Sequence, residues 1–508
     1  MLKSKIKLEY LVLILSFVNL ILYHLPVYKF TIQNLNSSGL DWLFTIISII
    51  VLIISLNALV FYIIFFLSNY IGKLLIILFF NMSSISVYFI NTYGVIIDKT
   101  MIGNILNTNF DESSSFFSLN FIIYIIFLGI VPSMLILKIK ILHVKFKSFI
   151  KKIIFSVIFI ISLVYINSSN WLWIDNNSKS LGGLVMPWSY VINTSRFYIH
   201  KSQENKKQIL LPNATIKNKK KSVVVLVIGE SARSQNFSLY GYDKLTNPLL
   251  SRIKNIYNYK TNSCATYTTA GVKCILEHKK SRKLYEILPN YLFRNDVEVI
   301  WRTTNWGEPN VLIENYQNKE YLKKECKGEG CGYDEVLLSK LNDEILKSKK
   351  EKILIVLHTS TSHGPTYYKK YPERFNKFKP VCKSVELGKC TQEELINAYD
   401  NTILYTDYIL SNLIQNLKQL KDFNSTMLFI SDHGESLGEK NLYMHGIPAS
   451  IAPKEQLEIP FIVWHSDNFK ELKKNEFLSQ HNVFHSVLDF LAIDSPIYDP
   501  EMSIFKND

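Results

Sequence analysis

A bundle of five membrane-spanning helices followed by an α/β domain is the architecture that this sequence predicts, on three observations. Nearly every long uninterrupted apolar run lies before residue 170 of the 508. Past about residue 220, short β-branched runs alternate with helical stretches, the pattern of a largely parallel sheet covered by helices. All six cysteines fall in that later part.

A bilayer core calls for about 20 apolar residues per helix. Five segments meet the requirement: Leu8 to Leu25, Leu43 to Leu67, Ile71 to Ile97, Phe116 to Leu137 and Ile150 to Ile166, the third interrupted by Asn81 and Asn91. The first is too long, and too poor in small residues near its end, for a cleaved signal peptide. Lys3, Lys5 and Lys7 precede it, and Lys138, Lys140, Lys145, Lys147, Lys151 and Lys152 crowd the connection before the fifth span. Lysine-rich flanks stay on the cytoplasmic side, so an odd number of crossings puts everything after about residue 168 outside. Lys73 then lies on the inner side, with Asp98, Asp111 and Glu112 on the outer. The implied organisation is a transmembrane domain over 1–168, a bridging segment over 169–221 with Trp171, Trp173 and Trp188 as interfacial anchors, and a catalytic domain over 222–508.

A hydrophobic content of 48% excludes disorder. The net charge of +14 does not point to nucleic acid, because the densest lysine clusters flank apolar spans rather than forming a basic face on a soluble module. Cys264, Cys274, Cys326, Cys331, Cys382 and Cys390 pair naturally as sequence neighbours, closing short loops in an oxidising compartment. The competing zinc–thiolate reading lacks both C-x-x-C spacing and an accompanying histidine pair.

Five strands are expected at Val223 to Ile228, Val297 to Trp301, Ile353 to His358, Met427 to Ser431 and Phe461 to Trp464. Functional residues of such sheets gather past the carboxyl ends of the strands. Glu230 follows the first of these runs, Asp432 and His433 the fourth, and His358 and His363 the third. Each alone reads as a helix cap or surface ion pair. Delivered to one sheet edge, they form a set that zinc accepts, to which His445 in Y-M-H-G adds a candidate. Thr266, Thr268 and Thr269 lie between Cys264 and Cys274. A threonine there is a helix cap, or a nucleophile if a cation and a helix N-terminus lower its pKa.

The segments G-E-S-A-R-S-Q-N-F-S-L-Y-G-Y from Gly229, C-A-T-Y-T-T-A-G-V-K-C from Cys264, H-T-S-T-S-H-G-P-T-Y from His358 and S-D-H-G-E-S-L-G-E from Ser431, followed by L-Y-M-H-G, together resemble the phosphoethanolamine transferase family over almost the whole chain. The resemblance implies an alkaline-phosphatase-like fold of sulfatase type behind the five-helix anchor. It implies that Glu230, Thr268, Asp432 and His433 bind a catalytic zinc, with Thr268 the nucleophile that becomes phosphoethanolaminylated. His363 and His445 would contact a second zinc or the substrate phosphate. M-I-G-N-I-L-N-T-N-F-D-E from Met101 is similar to the family's lipid-facing loop, making Asn104, Thr108 and Glu112 headgroup contacts.

By the same resemblance the protein is a multi-pass component of the bacterial inner membrane with its N-terminus cytoplasmic and its catalytic domain periplasmic. The donor is phosphatidylethanolamine, diacylglycerol leaves, and transfer is a double displacement. Lys273 stands where many relatives have Pro, Ile275-Leu276-Glu277 replaces a Met-Phe-Ser-like run, and W-R-T-T-N-W-G-E-P from Trp301 lacks the Asp-Asn-Asn-Ser stretch of lipid A-modifying members. The acceptor is therefore left open among lipid A, a lipooligosaccharide core sugar and another periplasmic target. Two rivals stand beside this reading. A glycerophosphate transferase of the lipoteichoic acid synthase type shares the five spans and the threonine, but the six cysteines argue against it. An inactive membrane-anchored binding protein would have lost a ligand, and none of the set is missing. A plain sulfatase needs C-x-P-S-R, which no cysteine here begins.

Overall fold

The computed structural model describes residues 5–35, 40–108, 113–142, 144–166, 173–174, 177–204, 208–281, 283–466, 471–473 and 477–506. Lys3, Asp111, Glu112 and Trp171 lie outside the described residues. The chain forms two compact units, Met1–Lys201 and Ser202–Asp508.

In the first unit, Leu43–Leu67, Asn69–Tyr93, Leu119–Leu137 and Phe146–Ile166 are each long and apolar enough to cross a membrane. A fifth span exists if Leu8–Tyr23 and Leu25–Asn34, which meet at 62°, are counted as one. The first span is therefore not the straight run to Leu25 that the hydropathy suggests. It breaks at His24, and Pro26 starts the next helix, where its missing N–H costs nothing. The third span stops at Tyr93 rather than Ile97, on Gly94 in the left-handed conformation at φ 73°. Within the fourth, Ile125–Ile130 is π-helical just ahead of Pro132. Pro132 has no N–H for the Leu128 carbonyl, and the Tyr23 hydroxyl donates to that oxygen instead, at 2.5 Å.

Polar side chains among these spans find one another. Asn57 donates to Asn19 at 2.9 Å and accepts from the Trp188 indole at 2.7 Å. Asn193 donates to the Ile97 carbonyl at 2.8 Å, so the helix Trp188–Glu204 is tied to the spans rather than lying apart from them. Lys5–Lys7 pairs in parallel with Lys140–Leu142, and Lys73 donates to the carbonyls of Leu137 and Ile139. The lysine-bearing segments thus share one end of the unit.

The second unit is built on eight strands: β1 Ser222–Gly229, β2 Ile256–Asn262, β3 Glu298–Thr303, β4 Asn315–Asn318, β5 Lys352–His358, β6 Asn424–Ser431, β7 Glu458–His465 and β8 Phe477–Ser479. Their order is β8-β2-β7-β6-β1-β5-β3-β4. All neighbours run parallel except β7, which is antiparallel to both β2 and β6. Buried on both faces, β1 and β5 are continuous apolar runs, as central parallel strands must be. The register places Ile228 beside His358 and Gly229 beside Ser431. The residues that follow, Glu230 and Asp432, consequently leave the sheet side by side.

Cys264 is bonded to Cys274, Cys326 to Cys331 and Cys382 to Cys390. Peptide mapping without reduction is expected to recover these three local pairs and no free thiol. Replacing both members of one pair by serine should lower unfolding free energy by about 2 to 3 kcal/mol, the range for short loops. Cross-linked peptides from different pairs would contradict the arrangement.

Candidate active site

Glu230, Asp432 and His433 are each no more than 1% exposed at the carboxyl end of the sheet. Against them packs the helix Thr268–Leu276, whose first residue is Thr268. Its approach is as close as backbone permits: a Cβ on Gly271 would sit 2.2 Å from the Asp432 carbonyl oxygen, so only glycine fits there. Thr268 Oγ1 donates to Glu230 Oε2 at 3.4 Å and lies 3.3 Å from His433 Nε2.

Hydrogen bonds fix each member of the group. His433 Nδ1 donates to the Gly434 carbonyl at 2.8 Å, which in the neutral ring turns the Nε2 lone pair toward Glu230 Oε1 at 3.5 Å and Asp432 Oδ2 at 3.3 Å. Asp432 Oδ1 accepts from the backbone N–H groups of Ser231 and His433 at 3.0 and 2.7 Å. Ser231, held at φ 54°, also donates its hydroxyl to Glu230 Oε1 at 2.6 Å, and its carbonyl accepts from Tyr399 at 2.7 Å. Asn305 donates to Glu230 Oε2 at 2.7 Å. His445 Nδ1 meets Glu435 Oε2 at 2.8 Å, and Tyr367 donates to the other Glu435 oxygen at 2.5 Å.

Two buried carboxylates with no lysine or arginine paired to them among the described residues are in electrostatic conflict. Burial works to raise Glu230, but His433, His363, His445 and the Ser231 hydroxyl outweigh it and hold its pKa below the usual carboxylate range. Burial and the Glu230 charge push Asp432 far above that range. A cation resolves the conflict, since both groups can then ionise. Asp432 Oδ2 is buried and accepts no hydrogen bond among the described residues, as a ligand oxygen would. Ligand atoms of Glu230, His433 and His445 all lie within 4.8 Å of one another, a possible metal site of mixed nitrogen and oxygen donors.

The structure thus brings Glu230, Thr268, Asp432, His433 and His445 together. The His363 ring stands 5.3 Å from that of His445, which is 4.3 Å from that of His433. Asn104 and Thr108 lie at the end of the helix Lys99–Asn107 in the first unit, where the Thr108 hydroxyl donates to the Asn104 carbonyl at 2.7 Å. Ser231, Asn305 and Glu435 are additions to the sequence-derived set. Ser231 and Glu435 belong to the motif segments that begin at Gly229 and Ser431, whereas Asn305 lies in the W-R-T-T-N-W-G-E-P stretch, where nothing marks it as a partner of Glu230.

A phosphoryl- or sulfuryl-handling domain is the class that this sheet edge, carboxylate pair and helix-start hydroxyl define, and the sulfatase family model matches residues 222–493. The family model described as phosphoethanolamine transferase EptA/EptB matches residues 53–202. The chain is 38% identical to phosphoethanolamine transferase EptA of Helicobacter pylori over 96% of this chain and 94% of that one. It is 32% identical to phosphatidylethanolamine transferase Mcr-1 of Escherichia coli over 78% and 79%. The integral membrane protein lipooligosaccharide phosphoethanolamine transferase A of Neisseria meningitidis superposes with a TM-score of 0.88 at 27% identity, covering 98% of both chains. The chain belongs to the phosphoethanolamine transferase family.

The closeness at Gly271 is directly testable. Gly271→Ala should push the Thr268 helix off the Asp432 backbone, lowering stability by about 1 to 3 kcal/mol, as overpacking does, and reducing bound metal in the same preparation. Gly182→Ala, where a Cβ meets nothing within 4 Å, is the control and should leave both unchanged. Equal behaviour of the two variants in thermal melts and metal analysis would refute the constraint.

Proposed function

We propose that this enzyme transfers phosphoethanolamine from phosphatidylethanolamine to lipid A, a lipooligosaccharide core or another periplasmic acceptor, through a covalent phosphothreonine-type intermediate on Thr268. The observation that carries the reading is the Thr268 hydroxyl at a helix start, 3.4 Å from Glu230 and 3.3 Å from His433. Glu230, Thr268, Asp432 and His433 would hold a zinc ion, and His363 and His445 would face a second zinc or the substrate phosphate. Bound zinc supplies positive charge that acidifies the hydroxyl and offsets charge on the phosphoryl oxygens.

Thr268 Oγ1 forms a bond to phosphorus as its proton passes to Glu230 Oε2, the carboxylate oxygen to which the hydroxyl already donates. The bond from phosphorus to the glycerol oxygen breaks, and diacylglycerol leaves with that proton. An acceptor oxygen then gives up its own proton, bonds to phosphorus and restores the threonine. Glu435 Oε2, 2.8 Å from His445 Nδ1, fixes the orientation of that ring, and the Ser231 hydroxyl lies 3.4 Å from the same nitrogen.

Orientation follows from the lysines. The pairing of Lys5–Lys7 with Lys140–Leu142 supports a cytoplasmic N-terminus and a periplasmic catalytic domain; Asn104, Thr108 and Glu112 would be lipid contacts on the family resemblance alone. Alkaline phosphatase fused at Lys221 should be active and the same reporter at Lys145 inactive; the opposite pattern reverses the topology.

The chemistry is tested by incubating the purified enzyme with phosphatidylethanolamine and no acceptor, then digesting it. Mass spectrometry should find the added phosphoethanolamine on Thr268, and Thr268→Ala should lose all turnover while keeping its fold. Removing Glu230, Asp432 or His433 should lower zinc content and activity together. The adduct on another residue, or full turnover in Thr268→Ala, would overturn the mechanism.

A further inference from the structure

The loop that follows β3 runs along the same sheet edge as the candidate site. Asn305 anchors it, donating to Glu230 Oε2 at 2.7 Å and to the Thr359 carbonyl at 2.8 Å. Gly307, at φ +95°, then passes so near the nucleophile helix that a Cβ on it would sit 3.1 Å from Thr268 Cγ2. The next residue is Glu308, whose side chain is 15% exposed.

The two oxygens of Glu308 differ in their surroundings. Oε1 accepts from the Tyr316 hydroxyl. Oε2 is buried and accepts no hydrogen bond among the described residues; the group facing it is His358 Nδ1, at 3.7 Å, too far for one. His358 Nδ1 likewise has no hydrogen-bond partner among the described residues. Burial works to raise Glu308, yet the His358 ring and the Tyr316 hydroxyl outweigh it and hold the carboxyl below the usual range. From Thr303 to Tyr316 the sequence has no lysine or arginine, and Glu314 adds a further acid. Such a wall repels phosphate and gains nothing from an uncharged polyol. It suits a cation.

We propose that Glu308 is the anionic contact for the ammonium end of the transferred headgroup, held beside Thr268 by the Asn305–Gly307 turn. This assignment rests on the phosphoethanolamine-transfer reading above. In that headgroup the ammonium stands an oxygen and two carbons from the phosphorus, so a group attacked at Thr268 places its cation at the neighbouring loop. An ammonium offers three N–H donors, and Glu308 Oε2 offers the unmet acceptor. The same charge discriminates against phosphatidylglycerol, whose headgroup ends in hydroxyls, because that lipid leaves the buried carboxylate unpaired.

The test uses the full-length, zinc-loaded protein in detergent micelles, measuring diacylglycerol release from phosphatidylethanolamine and from phosphatidylglycerol. Glu308→Gln keeps the shape and the Tyr316 contact but removes the charge. It is expected to raise KM for phosphatidylethanolamine about tenfold, the scale of one charge-assisted contact, with a smaller change in kcat and unchanged zinc content. Its preference for phosphatidylethanolamine over phosphatidylglycerol should fall by a similar factor. Glu308→Asp, which restores the charge, should recover most of that preference. An unchanged KM and headgroup preference in Glu308→Gln would overturn the assignment while leaving the transfer reading intact. Loss of kcat and zinc together at constant headgroup preference would also overturn it, reducing Glu308 to a brace for His358. Wild-type protein that releases no diacylglycerol from phosphatidylethanolamine would sink the transfer reading itself, and this assignment with it.

Discussion

Two carboxylates, Glu230 and Asp432, are placed side by side where water scarcely reaches, with an imidazole nitrogen turned toward both. Left to themselves they are unstable neighbours, because burial and mutual repulsion both disfavour the second charge. Much of the second unit can be understood as what is needed to keep them there. Backbone N–H groups and the Ser231 and Asn305 side chains take up three of the four carboxylate oxygens, which leaves Asp432 Oδ2 buried with no hydrogen bond among the described residues. An arrangement so uneven is suited to a cation.

Holding that arrangement is the work of the central strands. A slip of one residue between β1 and β6 would carry Glu230 and Asp432 to opposite faces of the sheet. Such a slip is resisted because both strands are packed on both sides, from Val223 to Ile228 and from Ser425 to Ser431. The proposed nucleophile, Thr268, is set by different means. The helix that begins at Thr268 is brought against Asp432 through the absent side chain of Gly271, and Cys264 is bonded to Cys274 across its first turns. The site thus joins a rigid strand end to a helix start whose distance from it is fixed by one missing methyl group.

How much of this could be read from the sequence depended on whether a feature was local. The central strands were legible because complete burial makes them continuous apolar runs, and the spans because a helix long enough to cross a bilayer is apolar over about 20 residues. Glu230, Asp432 and His433 were legible as acids and an imidazole directly after such runs. By contrast β2, I-Y-N-Y-K-T-N, alternates between buried and exposed positions and carries polar residues on its open face, so it does not resemble its neighbours. The break at His24 was hidden because hydropathy is blind to Pro26. Asn305 and Gly271 were illegible for a deeper reason: each matters through a residue far away in the chain, Glu230 for one and Asp432 for the other. Ser231 looks like a spacer until its φ of 54° and its contacts with Glu230, Asp432, Tyr399 and His445 are known.

The division between strand ends and loops also separates two kinds of selectivity. The groups proposed to act on phosphorus come from β1, β6 and the Thr268 helix, where displacement is opposed by the whole core. The loop from Thr304 to Asn310 lies between β3 and β4 and is held by hydrogen bonds of Asn305 to Glu230 and the Thr359 carbonyl, Thr304 to Asp334, and Tyr316 to Glu308. Substitutions there can alter the charge and shape presented to a headgroup without disturbing the carboxylate pair, because loops tolerate change that packed strands do not. This loop is also where the chain departs from the Asp-Asn-Asn-Ser stretch of lipid A-modifying members. Chemistry and substrate choice can therefore vary independently in this fold, and Asn305 is the point at which the two are joined, since its one amide touches both Glu230 and the loop's own anchor.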